Sequence, residues 1–157
     1  MDALGGGYTV ARRLAIMKDS RIGTYGAVAL IMALGLKGLL LADANSVWLA
    51  LLLSPVISRL TPLWLMRFLP YVTDPDISKS KPVAEGFSAQ RLAVATAMTV
   101  TVAALAGALV SALLSVALVA LLWGGYLWRQ LRGYTGDALG ASVILAELVF
   151  LLALVAA

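Results

Sequence analysis

Long apolar stretches separated by short polar segments run through the whole chain. The residues are 62% hydrophobic and the mean hydropathy is +0.96, far outside the range of a soluble globular domain. A bilayer is crossed by about 17 to 25 apolar residues in a helix. The segments of that length are Ile22–Ala42, Val47–Leu69, Leu92–Ala108, Val110–Trp128 and Ala138–Ala157. The pattern therefore predicts an all-α, polytopic integral membrane bundle of about five transmembrane helices.

The uncharged stretch from Leu92 to Trp128 could be one span or a tight helical hairpin. It is too long for one ordinary span, and it divides most readily near Gly107. A hairpin puts all the loop Lys and Arg residues on one side of the membrane, as the positive-inside rule demands. A single span would put Arg129 and Arg132 on the other side. We therefore predict the hairpin.

The same charge rule fixes the expected orientation and the loops. We predict a cytoplasmic start, a short outer turn at residues 43–45 and a cytoplasmic loop at residues 70–90. We treat residues 1–157 as a single membrane domain that contains this loop. The net charge of +4 could suggest nucleic acid, but the basic residues are scattered among apolar spans, so we expect no nucleic-acid partner.

The side-chain inventory limits the possible chemistry. The chain has no Cys, which excludes disulfides and thiolate metal sites. It has no His, which excludes imidazole ligands and histidine general bases. Catalysis would therefore have to use carboxylates, hydroxyls, cations or a metal.

A glycine-rich, charged segment precedes the first apolar stretch. Glycines let backbone N–H groups approach a phosphate, Lys and Arg bind its charge, and carboxylates can hold a divalent cation beside it. The residues of these types are Asp2, Gly5, Gly6, Gly7, Lys18, Asp19, Ser20 and Arg21. Their position at a membrane boundary indicates work on a phosphorylated, membrane-associated substrate. A flexible connector is the alternative for the glycine run.

Within this segment an interfacial helix is predicted. Thr9 is a plausible N-cap, and Val10, Leu14 and Met17 recur at i, i+4 and i+7 to give an apolar stripe. The helix could be a surface element anchored over anionic lipid, or it could carry part of a site on the face that holds Asp19. Both interpretations stay open.

A second polar cluster opens the last apolar stretch at Thr135 and Asp137. Asp137 could cap the helix, since a helix N-terminus favours an anion, or it could contact a metal or a nucleotide. Glu147 lies deeper on the same predicted helix, about 15 Å farther at 1.5 Å per residue. Acids inside a bilayer are costly and are usually functional.

Two cations also fall inside predicted spans. Arg59 lies near the middle of its span, where a charge costs at least about 2.5 kcal/mol on insertion scales. Glu147, a phosphate or water in a polar cavity could compensate it, and snorkelling or a structural ion pair are the alternatives. Lys37 lies closer to the outer face, and we interpret it as snorkelling to the interface.

Taken together, the polar blocks resemble the adenosylcobinamide-GDP ribazoletransferase, or cobalamin-5′-phosphate synthase, family. The blocks are Asp2–Gly7, Arg13–Gly26, Pro55–Arg59, Arg132–Ala141 and Glu147 with the Leu that follows it. Their order and spacing match across nearly the whole chain. The resemblance implies a Mg²⁺-dependent enzyme of vitamin B12 assembly in the inner membrane, with its active face cytoplasmic. Such an enzyme joins adenosylcobinamide-GDP to α-ribazole or its 5′-phosphate and releases GMP.

The resemblance also implies roles for individual residues. By this hypothesis Asp2 and Asp19 hold Mg²⁺, and Asp19 and Asp137 are the catalytic acids. Lys18 and Arg21 bind diphosphate oxygens. The full set expected to contact substrate is Gly5, Gly6, Gly7, Lys18, Ser20, Arg21, Arg59 and Thr135.

In one respect the chain departs from the family pattern. Family members are longer at the N-terminus, where an acidic stretch of the type His-x-Asp-Gly-x-x-Asp leads into the residue that matches Asp2. We therefore expect a fragment, a split product or a mis-started product, which would act as a homo-oligomer or with a missing N-terminal partner segment. Two other classes stay open: a small membrane carrier that uses Arg59 and Glu147, and a noncatalytic assembly subunit.

Overall fold

The computed structural model describes residues 1–19, 21–72 and 88–156. Most of the loop expected at residues 70–90, Ser20 and the last residue of the final predicted span, Ala157, lie outside these ranges. The helices are α1 (Asp2–Gly6), α2 (Val10–Lys18), α3 (Thr24–Asp43), α4 (Val47–Ser58), α5 (Leu60–Phe68), α6 (Ala89–Leu105), α7 (Leu109–Leu131) and α8 (Gly136–Val155).

The lengths and hydropathies of these helices confirm a multi-pass membrane bundle. Among the described residues, four stretches are long and apolar enough to cross a membrane: α3, the run Val47–Phe68 that contains α4 and α5, α7 and α8. The apolar helix α6 has 17 residues and is shorter. The five predicted apolar spans therefore all fold as helices.

The second span is one apolar run with a break at Arg59. Pro62 has no N–H to donate to the carbonyl of Ser58, so the helical ladder is interrupted there. The amide of Arg59 donates to Ile57, and the Arg59 guanidinium donates to the carbonyl of Pro55 at 2.9 Å. The side chain thus supplies the donor that the Pro55 carbonyl would receive from the Arg59 amide in a regular helix.

The hairpin predicted between α6 and α7 is confirmed. Gly107 has φ +72°, a conformation that glycine adopts without a steric cost. Its amide donates to the Ala104 carbonyl at 3.1 Å, and the amide of Ala108 donates to the Ala103 carbonyl at 2.8 Å. These two bonds form a Schellman motif, which ends α6 and turns the chain directly into α7.

Helix α8 lies at the centre of the bundle, where it packs against α3, α4, α5 and α7. The small side chains of Ser142 and Ala146 are fully buried on α8, and Ser115 is fully buried on α7. Small residues let helix backbones approach closely, which matters in lipid because no hydrophobic force drives helices together. The serine hydroxyls are satisfied by carbonyls of their own helices, at 2.7 Å for Ser142 and 2.9 Å for Ser115.

Candidate active site

A cavity of about 290 Å³ lies at the end of the bundle that holds α1 and α2. The carboxylates of Asp2, Asp19 and Asp137 and the guanidinium of Arg21 line it. These residues belong to three separate parts of the chain: α1, the connection from α2 to α3, and the first turn of α8. The structure therefore brings the predicted catalytic and metal-binding acids to one place. We call this space the acidic cavity.

Asp2 is held in the acidic cavity by the first turn of α3. Its Oδ1 accepts a hydrogen bond from the Gly26 amide at 2.9 Å, and its Oδ2 accepts one from the Gly23 amide at 3.0 Å. Amides at a helix N-terminus have no partner within the helix, so a carboxylate from another segment can cap them. The Gly26 bond is the largest cause that lowers the pKa of Asp2, with the Gly23 bond adding to it and desolvation opposing it.

Glycine is required on the α3 side of this cap. A Cβ atom at Gly23 or Gly26 would collide with the Asp2 carboxylate. The short helix α1 also packs closely against its neighbours: a Cβ atom at Gly5 would lie 3.0 Å from Cγ of Tyr25, and one at Gly7 would collide with the Arg13 side chain.

Gly5 and Gly7 therefore serve packing in this structure, whereas a Cβ atom at Gly6 would meet nothing within 4 Å. The amide of Gly5 donates to the Met1 carbonyl at 3.0 Å, and the amide of Gly7 donates to the Ala3 carbonyl at 3.1 Å. Gly6 is the last residue of α1. The amides of Gly5 and Gly7 are thus engaged with carbonyls of the α1 segment in this structure. The substrate contacts assigned to Gly5, Gly6 and Gly7 stay predictions.

Asp19 and Arg21 pair with each other at the rim of the acidic cavity. Nη2 of Arg21 lies 2.8 Å from Oδ2 of Asp19, and its Nε lies 3.1 Å from Oδ1. The Arg21 guanidinium is the main cause that lowers the pKa of Asp19. Exposed ion pairs contribute little to stability because water screens the two charges, so a stronger ligand can separate this one at low cost.

Helix α2 is attached to the rest of this end by two side chains. Nη1 of Arg13 donates to the carbonyl of Gln130 at 2.9 Å, in the last turn of α7. A cation there satisfies a carbonyl that has no intrahelical donor and complements the helix dipole. Met17 receives a contact of 3.6 Å from the Thr135 hydroxyl. The two contacts hold α2, and Asp19 after it, against the end of α7 and the start of α8.

The cap of α8 is Thr135 and not Asp137. The Thr135 hydroxyl accepts from the Ala138 amide at 3.2 Å and is buried. The alternative that Asp137 caps this helix is therefore wrong. Asp137 is exposed in the first turn of α8 and lines the acidic cavity, whereas Thr135 does not line it.

The remaining residues predicted to contact substrate lie elsewhere. Lys18 ends α2 and is exposed, and Arg59 occupies the break between α4 and α5. Neither lines the acidic cavity. Ser20 lies outside the described residues. The substrate contacts assigned to Lys18, Ser20, Arg59 and Thr135 stay predictions.

Glu147 pairs with Lys37, whereas the sequence analysis considered Arg59 as its partner. Its Oε1 lies 2.8 Å from Nζ of Lys37 and accepts a hydrogen bond from the Ser54 hydroxyl at 3.0 Å. Arg59 bonds to the carbonyl of Pro55. The option that Glu147 compensates Arg59 is therefore wrong, and so is the interpretation that Lys37 snorkels.

Two elements of this end were missed by sequence reasoning. The first is an isolated parallel bridge between the segment after α5 and the segment before α8. The Tyr134 amide donates to the Pro70 carbonyl at 2.9 Å, and the Val72 amide donates to the Tyr134 carbonyl at 3.1 Å. Gly133 is the available sequence signal, since a Cβ atom there would collide with the Pro70 carbonyl. Trp123 is also a wall of the acidic cavity, and its Nε1 donates to the Ala138 carbonyl at 3.0 Å.

The donor set of the acidic cavity can be compared with what Mg²⁺ requires. Within residues 1–19, 21–72 and 88–156, no group of three or more acidic side chains is placed to hold a metal together. Mg²⁺ commonly takes one or two carboxylates and completes its octahedron with water and phosphate oxygens. Asp2 and Asp19 are ligands of the type that a phosphate-bound magnesium ion takes, and they do not form an all-protein cage. The magnesium site assigned to them stays a prediction.

Comparison with known proteins places the chain among curated enzymes. The family model described as Cobalamin-5-phosphate synthase matches residues 1–155. A Shewanella woodyi protein called adenosylcobinamide-GDP ribazoletransferase is 46% identical to the chain in an alignment that covers 94% of it. A Vibrio parahaemolyticus protein of the same name is 39% identical over 99% of the chain. A Vibrio cholerae protein of the same name is 42% identical over 99% of the chain. The chain spans about 60% of the length of these relatives. No solved structure matches it.

Proposed function

Because this chain belongs to the cobalamin-5-phosphate synthase family, we propose that it acts in the transfer that joins adenosylcobinamide-GDP to α-ribazole or α-ribazole 5′-phosphate. The observation that carries the proposal is the acidic cavity, where Asp2, Asp19, Asp137 and Arg21 meet. That combination suits a substrate with a diphosphate, because it offers both a cation for phosphate oxygens and carboxylates for a metal or a hydroxyl group.

The reaction makes few covalent demands on the protein. The ribazole hydroxyl attacks the cobinamide-linked phosphorus, the bond from that phosphorus to the oxygen of GMP breaks, and the hydroxyl proton must be accepted. Catalysis of such a step relies mainly on positioning and on electrostatic stabilisation of the phosphoryl oxygens. No nucleophilic side chain is needed, in keeping with a chain that has no Cys and no His.

Each side chain of the acidic cavity has a role in this proposal. Arg21 binds diphosphate oxygens, and Asp137 orients the attacking hydroxyl and accepts its proton. Asp2 and Asp19 would hold Mg²⁺, which would supply charge neutralisation on the phosphate. Because the pair between Asp19 and Arg21 is exposed, a diphosphate can replace Asp19 on the guanidinium. That exchange makes the Asp19 carboxylate available as a metal ligand.

The charge distribution supports a cytoplasmic location for this end of the bundle, in the inner membrane. Apart from Lys37 and Arg59, the basic residues of the described segments lie in the loops or terminal helical turns at the end that holds α1 and α2: Arg12, Arg13, Lys18, Arg21, Arg67, Arg91, Arg129 and Arg132. The connections at the opposite end, residues 44–46 and 106–108, contain no Lys or Arg. The positive-inside rule assigns the basic end to the cytoplasm.

The carrier alternative loses its main support in this structure. It rested on Arg59 and Glu147 as intramembrane charges, but Arg59 is exposed and bonded to its own helix, while Glu147 is neutralised by Lys37. The test that follows distinguishes an enzyme from a noncatalytic subunit.

The test is release of GMP from adenosylcobinamide-GDP in membranes that contain α-ribazole, Mg²⁺ and the chain extended to the full length of its relatives. Asp137→Asn and Arg21→Gln should each lower turnover at least about 100-fold, since each removes a group that acts on the reacting centre. Gly38→Ala is the matched control, because a Cβ atom at Gly38 meets nothing within 4 Å. Unchanged turnover in both variants would reject the assigned site. No GMP release by the well-expressed full-length chain would favour the noncatalytic subunit.

A further inference from the structure

An ion pair inside the membrane joins α3 to the central helix α8. Nζ of Lys37 lies 2.8 Å from Oε1 of Glu147, and the Ser54 hydroxyl of α4 donates to the same oxygen at 3.0 Å. The Glu147 side chain is 12% exposed and that of Lys37 is 34% exposed. Glu147 lies about 16 Å along α8 from Gly136, so the pair is deep in the bundle and remote from the acidic cavity. We call the contact of Lys37 with Glu147, together with the hydrogen bond from Ser54, the membrane ion pair.

Helix α3 packs on α8, but most of its side chains are exposed. Leu40 is its one buried residue. Gly35 and Gly38 face open space, since a Cβ atom at either would meet nothing within 4 Å. Helices in lipid are held by close packing and by interhelical polar contacts. With so few buried side chains on α3, the polar contact of Lys37 with α8 adds a directional restraint on the rotation and the axial position of this helix.

The position of α3 matters at its other end, where its first turn holds Asp2. The amides of Gly23 and Gly26 donate to the Asp2 carboxylate in the acidic cavity. Gly26 lies about 16 Å along α3 from Lys37, three helical turns away. The backbone hydrogen bonds of a helix make it stiff over this distance, so a rotation or a shift at Lys37 also moves the two amides.

We propose that the membrane ion pair is a positioning device that sets the register of α3 against α8 and thereby holds Asp2 in the acidic cavity. The proposal concerns the placement of one carboxylate and does not depend on which reaction the cavity supports. Lys37, Glu147 and Ser54 are positioning residues in this scheme, because they act through α3.

The test is NMR spectroscopy of the full chain in detergent micelles with ¹⁵N-labelled glycine. The Gly23 and Gly26 amide protons, which bond to a carboxylate, are identified as the signals that Asp2→Ala moves. In Lys37→Met these two signals should move in the same direction as in Asp2→Ala, and their hydrogen exchange should quicken at least about 10-fold. Gly38→Ala alters the neighbouring residue and removes one glycine signal, and it should leave both amides unchanged.

A charge exchange separates positioning from general loss of stability. In the double variant Lys37→Glu with Glu147→Lys, the pair is rebuilt in reverse, and the Gly23 and Gly26 signals should return towards those of the parent. Ser54→Ala is a milder variant that removes one hydrogen bond, so it should give a smaller shift of the same two signals even if Lys37→Met does not fold. Unchanged Gly23 and Gly26 signals in Lys37→Met or in Ser54→Ala would overturn the proposal. Failure of the exchange to restore the signals would also overturn it.

Discussion

The carboxylate of Asp2, on α1, caps the N-terminus of α3, because the Gly26 amide of α3 donates a hydrogen bond to it at 2.9 Å. Gly23 adds a second amide at 3.0 Å. The geometry leaves no room for a side chain on α3 at this point, because a Cβ atom on Gly26 would collide with the carboxylate. Asp2 is thus a structural cap as well as a residue of the acidic cavity.

Gly26→Ala should displace Asp2 and destabilise the chain by roughly 1 to 2 kcal/mol, the usual cost of losing a helix cap. Thermal unfolding in detergent measures the change. Gly35→Ala is the matched control on the same helix, since its new Cβ atom meets nothing within 4 Å and alanine favours a helix over glycine. Equal behaviour of the two variants would contradict the cap.

Stability should fall at low pH in a way that depends on Asp2. The hydrogen bond from Gly26, aided by Gly23, lowers the pKa of Asp2 from its ordinary 3.8. A carboxyl with a depressed pKa in the folded state contributes stability above the pKa of the unfolded state, and the contribution is lost as pH falls through the folded pKa. The loss attributable to Asp2 therefore occurs below about pH 4.

The measurement compares unfolding of the parent chain and Asp2→Ala between about pH 2 and pH 6. The stability difference between the two should be largest at the upper end and shrink as Asp2 becomes protonated. Arg21 lowers the pKa of Asp19 as well, so protonation of Asp19 also destabilises the chain at low pH. Asp19→Ala is the control that measures this second contribution. A difference between parent and Asp2→Ala that is constant over this range would reject the role of the ionised carboxylate.

The membrane spans could be predicted because their signal is local. About twenty apolar residues in a row identify a span without knowledge of its neighbours, and the hairpin at Gly107 followed from charge placement. The proximity of Asp2, Asp19 and Asp137 was anticipated through the family resemblance, and the cavity between α1, α2 and α8 brings them together.

The predictions that were wrong concern contacts set by the three-dimensional arrangement: the rotation of helices about their axes, close packing between segments and the backbone conformation at a helix end. Lys37 meets Glu147 because α3 and α8 turn these side chains towards each other, and hydropathy carries no such information. The glycine run fits either an open loop or tight packing, and the side chains of Tyr25 and Arg13, distant in sequence, decide in favour of packing at Gly5 and Gly7. Thr135 precedes Asp137 in a sequence that permits either as the cap of α8, and the backbone selects Thr135.

The orientation of the bundle can be tested with single cysteines, because the chain has none of its own. Cysteine in place of Tyr8, which is 94% exposed, should react with an impermeant thiol reagent from the face opposite to cysteine in place of Asn45. Cysteine in place of Ser80, in the predicted loop, should react from the same face as at Tyr8. Reaction of the Asn45 and Tyr8 positions from one face would refute the arrangement of α3.

The packing of α1 on α3 predicts a specific disulfide. A Cβ atom at Gly5 would lie 3.0 Å from Cγ of Tyr25, and disulfides need Cβ atoms about 3.5 to 4.5 Å apart. The pair Gly5→Cys with Tyr25→Cys should therefore cross-link on mild oxidation, and the closed loop should be detected by a mobility shift after cleavage between the two positions. The matched pair Gly6→Cys with Tyr25→Cys should not cross-link, because Gly6 faces open space on the next residue of the same helix. Cross-linking of both pairs to the same extent would mean that α1 moves freely over α3, and Asp2 would then have no fixed place at Gly26.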